Sequence, residues 1–128
     1  MVIDTSAILA ILRMENDAAY FARALSAADV RLMSAANIVE TGIIVGARFG
    51  PDAERDLDLF VARANIEIAP VTADQAMLAR RAFREFGKGQ HPAGLNFGDC
   101  FAYALAKASG EPLLFKGNDF SQTDIQTC

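Results

Sequence analysis

The stretch Val2-Ile3-Asp4-Thr5-Ser6 at the start of the chain decides the fold class. Two β-branched residues are followed at once by an acid and two hydroxyl residues, which predicts a short buried strand that ends where a helix begins. Ala7 to Met14 supplies good helix formers with apolar residues at helical spacing. Open parallel sheets bind ligands beyond the carboxyl ends of their strands, so Asp4 is the first candidate functional residue.

The rest of the chain repeats this alternation of strands and helices. Further strands are predicted at 30–33, 66–71 and 112–115, with a last short one around Ile125. Helices are predicted at 17–25, 34–49, 51–64, 72–87 and about 96–110, with Asp17, Ser34, Thr72 and Asn96 as N-caps. This order predicts an α/β fold with a mostly parallel sheet, and the lack of repeats or linkers predicts one domain spanning 1–128.

Composition excludes several classes of protein. The chain has 128 residues, of which 52% are hydrophobic, so a sizeable core is available. No apolar stretch approaches the roughly 18 residues of a membrane span, and Met1-Val2-Ile3-Asp4 lacks the basic leader of a signal peptide. The two cysteines, Cys100 and Cys128, do not indicate a disulfide framework, so we expect a cytoplasmic protein.

Four of the 16 acidic residues lie in surroundings that a solvated helix face does not explain. Asp4 follows the first strand, and Asp119 takes the matching place after Leu113-Leu114-Phe115. Glu40 has apolar neighbours one helical turn away, and Asp99 lies in the first turn of an apolar helix. A carboxylate in apolar surroundings is costly unless it is paired, hydrogen-bonded or bound to a metal.

Oxygen ligands suit hard cations such as Mg²⁺ and Mn²⁺. If the four acids converge, their repulsion favours protonation or a bound divalent cation. Such a cation can activate water and offset charge on a leaving oxygen, which is the chemistry of phosphodiester hydrolysis. The net charge of −4 argues only weakly against a nucleic-acid substrate, because bound cations would neutralise part of it.

Each acid also has a purely structural interpretation. Asp4 could cap the helix that starts near Ser6, and Asp99 could complete a capping box with Asn96. Glu40 could pair with Arg13 or Arg48, and Asp119 lies in a Gly-Asn-Asp sequence that is common in turns. These interpretations stay open until the structure is known.

The remaining candidates are weaker. His91 is the only histidine and lies in a Gly/Pro loop, so neither a zinc site nor a histidine acid–base pair is indicated. The glycines at 87, 89, 94 and 98 do not form a phosphate-binding fingerprint. Phosphate contacts could come from several basic residues, although a solvated helix face explains the first three equally well: Arg80, Arg81, Arg84, Lys88, Lys107 and Lys116.

Four segments together resemble the PIN-domain family, and most closely the VapC toxins of bacterial VapBC toxin–antitoxin modules. They are the opening Val2-Ile3-Asp4-Thr5-Ser6-Ala7, the helical Val39-Glu40-Thr41, and the pair Leu95-Asn96-Phe97-Gly98-Asp99-Cys100 and Leu113-Leu114-Phe115-Lys116-Gly117-Asn118-Asp119-Phe120. The segments follow in the family's order and cover essentially the whole chain.

This resemblance implies a three-layer α/β/α sandwich and a Mg²⁺- or Mn²⁺-dependent endoribonuclease that hydrolyses RNA. It implies Asp4 and Asp99 as principal metal ligands, Glu40 as a third acid and Asp119 as a more variable fourth. Thr5 or Ser6 would supply a supporting hydroxyl. A VapB-type antitoxin that inhibits the enzyme and a homodimer are the implied protein partners.

Three other functions remain open from the sequence. A phosphatase with an aspartyl nucleophile, or a phosphate-receiver domain, would also be α/β with an early acid, but the phosphatase needs a second acid where Ser6 lies. A catalytically silent binding protein would use the same acids only as helix caps. Binding of a metal ion would argue against that silent form.

Overall fold

The strands of the computed structural model, which describes all of Met1–Cys128, form one parallel sheet. Strands β1 (Val2–Ile3), β2 (Leu32–Ser34), β3 (Glu67–Ala69) and β4 (Leu113–Leu114) lie in the order β3-β2-β1-β4. Val2 pairs with Leu32 on one side and with Leu113 on the other. The strand order therefore reverses between β1 and β4, and such a reversal opens a crevice at the carboxyl ends of the two strands.

Six α-helices connect the strands. They are α1 (Thr5–Leu12), α2 (Ala18–Ala27), α3 (Ala35–Phe49), α4 (Pro51–Arg63), α5 (Ala73–Phe86) and α6 (Phe97–Ser109). The predicted caps explain most helix starts, since the side chains of Ser34 and Thr72 accept backbone hydrogen bonds from the first turns of α3 and α5. Gly50 ends α3 at a φ of 87°, a conformation that glycine adopts without strain.

The sheet separates two apolar layers because neighbouring residues of each strand point to opposite faces. Ile3 packs with Ile8, Phe21 and Leu57 on the side of α1 to α4. Val2 faces the other way, among buried residues that include Tyr103 of α6. Both faces of β1 are thus covered, which explains its uninterrupted apolar sequence. The three-layer α/β/α architecture with a mostly parallel sheet is confirmed.

Some boundaries differ from the prediction. β2 runs from 32 to 34 rather than 30 to 33, and β3 and β4 are shorter than predicted. Asp17 makes no capping hydrogen bond, because Lys116 binds its carboxylate instead at 3.1 Å. The predicted last strand is only an isolated bridge between Leu113 and Thr127, and a 3-10 helix, Phe120–Gln122, precedes it.

The C-terminal segment is tied to α6 by one buried hydroxyl. Tyr103 is 1% exposed and donates a hydrogen bond of 2.6 Å to Asp124, whose other oxygen pairs with Lys107 at 2.8 Å. These contacts hold the chain beyond β4 against the helical layer. None of the helices combines the length and the apolar character that crossing a membrane requires.

Candidate active site

Asp4 lies where β1 ends and α1 begins. Its Oδ2 accepts hydrogen bonds from the Ser6 backbone N–H at 3.0 Å and from the Ser6 hydroxyl at 2.6 Å. The Ser6 Oγ in turn accepts from the Lys116 backbone N–H at 2.9 Å. One hydroxyl therefore joins the ends of β1 and β4 across the crevice. Asp4 is 4% exposed, and both Ser6 contacts fall on Oδ2, so no side chain of the protein hydrogen-bonds to Oδ1.

Asp99 lies in the first turn of α6. Its Oδ2 accepts a hydrogen bond from the Asn96 N–H at 3.0 Å, and the Asn96 side chain accepts from the Asp99 N–H at 2.9 Å. This is the capping box that the sequence suggested, and the helix-capping role of Asp4 is present as well. Neither cap excludes a second role, because a carboxylate has about four lone-pair positions and each cap occupies one oxygen.

Glu40 is held by hydroxyl and amide groups, not by an arginine. The Thr5 hydroxyl donates to its Oε1 at 2.6 Å, and the Asn37 amide lies at 3.4 Å from the same oxygen. Glu40 forms no ion pair, so the alternative of a pair with Arg13 or Arg48 is wrong. Thr5 is thus a supporting hydroxyl of Glu40, whereas Ser6 supports Asp4.

Asp119 is the most exposed of the four acids. It directly precedes the 3-10 helix and makes no capping hydrogen bond there. The charge of its carboxyl group raises the pKa of Asp99, so these two acids lie near each other. Asp4 interacts by charge with Glu40 and with Asp99. Pairwise charge interactions therefore link the four predicted residues: Asp4 with Glu40, Asp4 with Asp99, and Asp99 with Asp119.

Burial and mutual repulsion disfavour the ionised forms of two of these acids. Desolvation raises the pKa of Asp4, and the charge of Glu40 raises it further, against the lowering effect of the Ser6 hydrogen bonds. Desolvation is also the main reason that the pKa of Asp99 rises to about 7, with contributions from the charges of Asp4 and Asp119. The metal-free site thus carries an electrostatic cost at neutral pH.

The chain supplies no cation that offsets this cost. Lys107 pairs with Asp124, and Lys116 pairs with Glu15 and Asp17 at 2.5 and 3.1 Å. The amine of Lys116 is therefore engaged away from the four acids, although its backbone N–H contacts Ser6. Arg13 forms no ion pair either. Protonation or an external cation is therefore needed to reduce the negative charge of the cluster.

The donor set fits a hard divalent cation. All the available ligand atoms are carboxylate oxygens, and Mg²⁺ is commonly held by one or two carboxylates together with water and substrate phosphates. No group of three or more His, Cys, Asp or Glu side chains is arranged so that it could hold a metal ion. The site is therefore an open cluster of paired carboxylates and not a closed protein cage, and the assignment of individual ligands stays a prediction.

Sequence reasoning missed three residues of the site. Asn37 and Thr41 are fully buried polar residues on α3, and Gly98 immediately precedes Asp99 in α6. Polar residues on the inward face of an apolar helix were the available signal, since Asn37 lies one turn before Glu40 and Thr41 lies one turn after Asn37. Their contacts across the fold could not be deduced from sequence.

The other candidates are accounted for by local structure. The Nδ1 of His91 accepts a hydrogen bond from the Ala93 N–H at 3.0 Å, and its ring packs edge-on against Phe86. Cys100 is buried with its pKa raised to about 11, mainly by desolvation, so it is an unreactive thiol. Neither residue belongs to the carboxylate cluster.

Comparisons with known proteins agree with this geometry. A PIN-domain family model matches residues 1–126. Ribonuclease VapC30 of Mycobacterium tuberculosis is 56% identical over 99% of this chain and 97% of its own. Among solved structures, Mycobacterium tuberculosis VapC20, a toxin that cleaves the sarcin–ricin loop, superimposes with a TM-score of 0.80 at 19% identity, covering 99% of this chain and 97% of its own. The structure of VapBC2 from Rickettsia felis, bound to a DNA fragment from its promoter, superimposes with a TM-score of 0.75 at 16% identity. It covers 98% of this chain and 94% of the VapBC2 chain.

Replacing Asp99 with asparagine should stabilise the metal-free protein at neutral and higher pH. The folded pKa of Asp99 lies above its unfolded value, so the wild type loses stability as the pH rises from about 4 to about 7. The asparagine side chain does not ionise and can still accept the Asn96 hydrogen bond. We expect a gain of roughly 1–3 kcal/mol in the free energy of unfolding at pH 8, shrinking towards pH 5, after allowing for partial solvation.

Urea denaturation in the presence of a chelator measures this difference. Asp58→Asn, which removes an exposed carboxylate on α4, is the control and should leave the stability unchanged at both pH values. A loss of stability in Asp99→Asn at pH 8 would contradict the electrostatic cost assigned to this cluster.

Proposed function

This chain belongs to the PIN-domain family and, within it, to the VapC ribonucleases, and from that premise we propose that it hydrolyses RNA with a divalent cation held by Asp4, Glu40, Asp99 and Asp119. The activity class, an endoribonuclease toxin of a toxin–antitoxin module, follows from the family. The residues that perform the reaction, and the choice of Mg²⁺ with Mn²⁺ as a substitute, are our proposal.

The observation that carries this proposal is the set of charge-coupled carboxylates, Asp4 with Glu40 and Asp99, and Asp99 with Asp119, near the reversal of the strand order, where the chain provides no cation. The raised pKa values of Asp4 and Asp99 record the cost of this arrangement. A structural cap would work equally well in a solvated position, where it would not carry this penalty. The cost is removed when a cation binds, so the cluster is suited to recruit one.

The bound cation would activate a water molecule and offset negative charge on the phosphate and the leaving oxygen. Asp4 and Asp99 are the ligands with oxygens left free by their caps, and Asp119, being exposed, can reach the same ion from the solvent side. Glu40 is fixed by Thr5 at 2.6 Å and lies near Asp4, where it can orient the attacking water and accept its proton.

The chain's own residues also restrict how the acids can move. Ser6 holds Asp4 through two hydrogen bonds and is itself held by the Lys116 N–H, so the ends of β1 and β4 stay in register. The capping box fixes Asp99 at the start of α6. Carboxylates held on strand ends and helix starts are better pre-organised than carboxylates on loops.

An attack by the ribose 2′-hydroxyl without a cation would need an acid–base pair that this site lacks. His91 packs against Phe86 in the loop before α6 and is not among the residues that interact with the four acids. We therefore propose direct attack of water at phosphorus.

A VapB-type antitoxin is the protein partner that we propose, together with a second copy of this chain on family grounds. A groove of about 430 Å³ between α1, α3 and α4 is lined by Leu12, Val45, Phe49 and Ala53. Phe49 is 54% exposed, and Ile43 on the same helix is 66% exposed. An apolar groove with exposed apolar side chains on the same helix suits the apolar face of an amphipathic partner helix.

Cleavage of a small-RNA pool by the purified protein tests the ribonuclease site. We expect discrete cuts with Mg²⁺ or Mn²⁺, none with a chelator, and a loss of at least about a hundredfold in Asp4→Asn and in Asp99→Asn. Asp58→Asn should cut like the wild type. Full activity in either site variant would remove that residue from the site, and undiminished cutting in chelator would refute the role of the cation.

Phe49→Asp tests the antitoxin groove. Introducing a charge there should prevent co-purification with the co-expressed antitoxin while RNA cleavage persists, because Phe49 lies outside the carboxylate cluster. Met77→Asp alters an exposed apolar residue on α5, across the sheet, and should retain the antitoxin. Retention by Phe49→Asp would show that the antitoxin binds elsewhere.

A further inference from the structure

The Glu40 carboxylate occupies a slot that exists only because residue 98 is glycine. A Cβ built on Gly98 would lie 2.0 Å from Glu40 Oε2, 2.5 Å from its Cδ and 2.6 Å from its Oε1. Real Cβ contacts are never this short, so any other residue at 98 would displace the carboxylate. Glycine inside a helix is less stable than alanine, and Gly98 has no positive φ that would require it. The glycine is therefore explained by the approach of Glu40.

Asn37 holds the same carboxylate from the side of α3. Its Nδ2 donates to the Gly98 carbonyl oxygen at 2.9 Å and lies 3.4 Å from Glu40 Oε1. Asn37 is 0% exposed, and its Oδ1 is a buried acceptor with no hydrogen-bond partner. An unpaired buried acceptor destabilises the fold. An asparagine that served only stability would not be expected to leave a buried acceptor unpaired. Joining Glu40 to α6 is a role that accounts for Asn37 despite this cost.

Two buried threonine hydroxyls complete the arrangement. Thr41 Oγ1 lies 3.0 Å from Thr5 Oγ1, which donates to Glu40 at 2.6 Å. Thr41 also reaches the Asn37 carbonyl oxygen at 2.7 Å. Thr5 belongs to α1, so the carboxylate is fixed from α1, α3 and α6 together. The positive end of the α6 dipole further favours a negative charge beside its first turn.

We propose that Gly98 and Asn37 are positioning residues that set the Glu40 carboxylate against the first turn of α6, next to Asp99. This inference rests on the proposed function, because it concerns the use of Glu40 in RNA cleavage. Gly98 provides the space and Asn37 fixes the spacing between α3 and α6. Neither residue touches the substrate or the cation; both act through Glu40.

Gly98→Ala is the direct test, with Gly46→Ala as a matched control. Both replace a helical glycine, but a Cβ at Gly46 meets nothing closer than 3.4 Å, a side-chain oxygen of Glu54. We expect Gly98→Ala to unfold at the same temperature as the wild type or higher, because alanine favours the helix and the displaced atoms are the end of a partly exposed side chain. Its RNA cleavage and its Mn²⁺ affinity, measured by calorimetry without RNA, should both fall about 10- to 100-fold. Gly46→Ala should match the wild type in both.

A double-mutant cycle shows whether Gly98 acts through Glu40. The cycle compares Mn²⁺ affinity in Glu40→Ala with that in Glu40→Ala/Gly98→Ala. With the carboxylate gone, the added methyl group meets open space, so the double variant should bind Mn²⁺ as Glu40→Ala does and unfold at the same or a higher temperature. A further tenfold weakening in the double variant would overturn the proposal.

Asn37→Leu provides an independent variant with nearly the same side-chain shape. It removes the unpaired acceptor along with both donated hydrogen bonds, so its thermal stability should be close to that of the wild type. Cleavage should nevertheless fall about tenfold or more, since Glu40 is no longer held from α3. A stable Asn37→Leu with full cleavage would exclude Asn37 from the positioning role.

The outcomes separate this inference from the proposed function. If Glu40→Ala cleaves normally, the role of Glu40 in the proposed function fails and the inference fails with it. If Glu40→Ala is inactive while Gly98→Ala cleaves and binds Mn²⁺ like the wild type, the inference alone is overturned. Loss in both variants with no further loss in the double variant supports both.

Discussion

The structure depends on the burial of two carboxyl groups, Asp4 and Asp99, at the place where the strand order reverses. Each is desolvated, and each uses one oxygen in a helix cap: Asp4 caps α1, and Asp99 completes the capping box of α6. The caps retain the acids in position, and repulsion among the four acids raises their free energy. A bound cation would therefore relieve this repulsion at the carboxyl ends of β1 and β4.

Packing and backbone contacts elsewhere in the fold hold these buried carboxyl groups in place. The side chains of Val2 and Ile3 pack into two separate apolar layers, so β1 is packed on both faces. This packing holds the end of β1, and with it Asp4, in place. Backbone contact of Lys116 with Ser6 fixes β4 beside it. Glu40 is brought in from α3 by Thr5 and Asn37, which makes the packing of α3 on α6 part of the active site and not only of the core.

The sequence was sufficient for much of this account. β-Branched residues directly before an acid predicted β1 and Asp4, and side-chain caps predicted the starts of α3, α5 and α6, because these are local properties of a few adjacent residues. Strand ends were misplaced by one or two residues, since pairing with Leu32 and Leu113 determines them and pairing is not local. The capping role of Asp17 failed for the same reason, because Lys116 lies 99 residues away.

The acidic residues of the site could be predicted from the sequence, but the residues that position them could not. Acids in apolar surroundings are visible in a sequence, whereas the slot at Gly98 and the Asn37 clamp arise only when α3 meets α6. The roles of Asp4 and Asp99 also could not be decided from sequence, because capping and metal binding use the same residue type. The structure contains both caps and still leaves one oxygen of each acid to a further ligand.

The most direct test of this account is the titration of the Asp99 carboxyl carbon by NMR in the isotopically labelled protein, with and without Mg²⁺. The account predicts a midpoint near pH 7 in the metal-free protein and a marked fall when Mg²⁺ is present, because the cation stabilises the ionised carboxylate. A midpoint near 4 that Mg²⁺ does not alter would show that Asp99 is an ordinary helix cap, and would contradict the central claim that these acids are assembled to bind a cation.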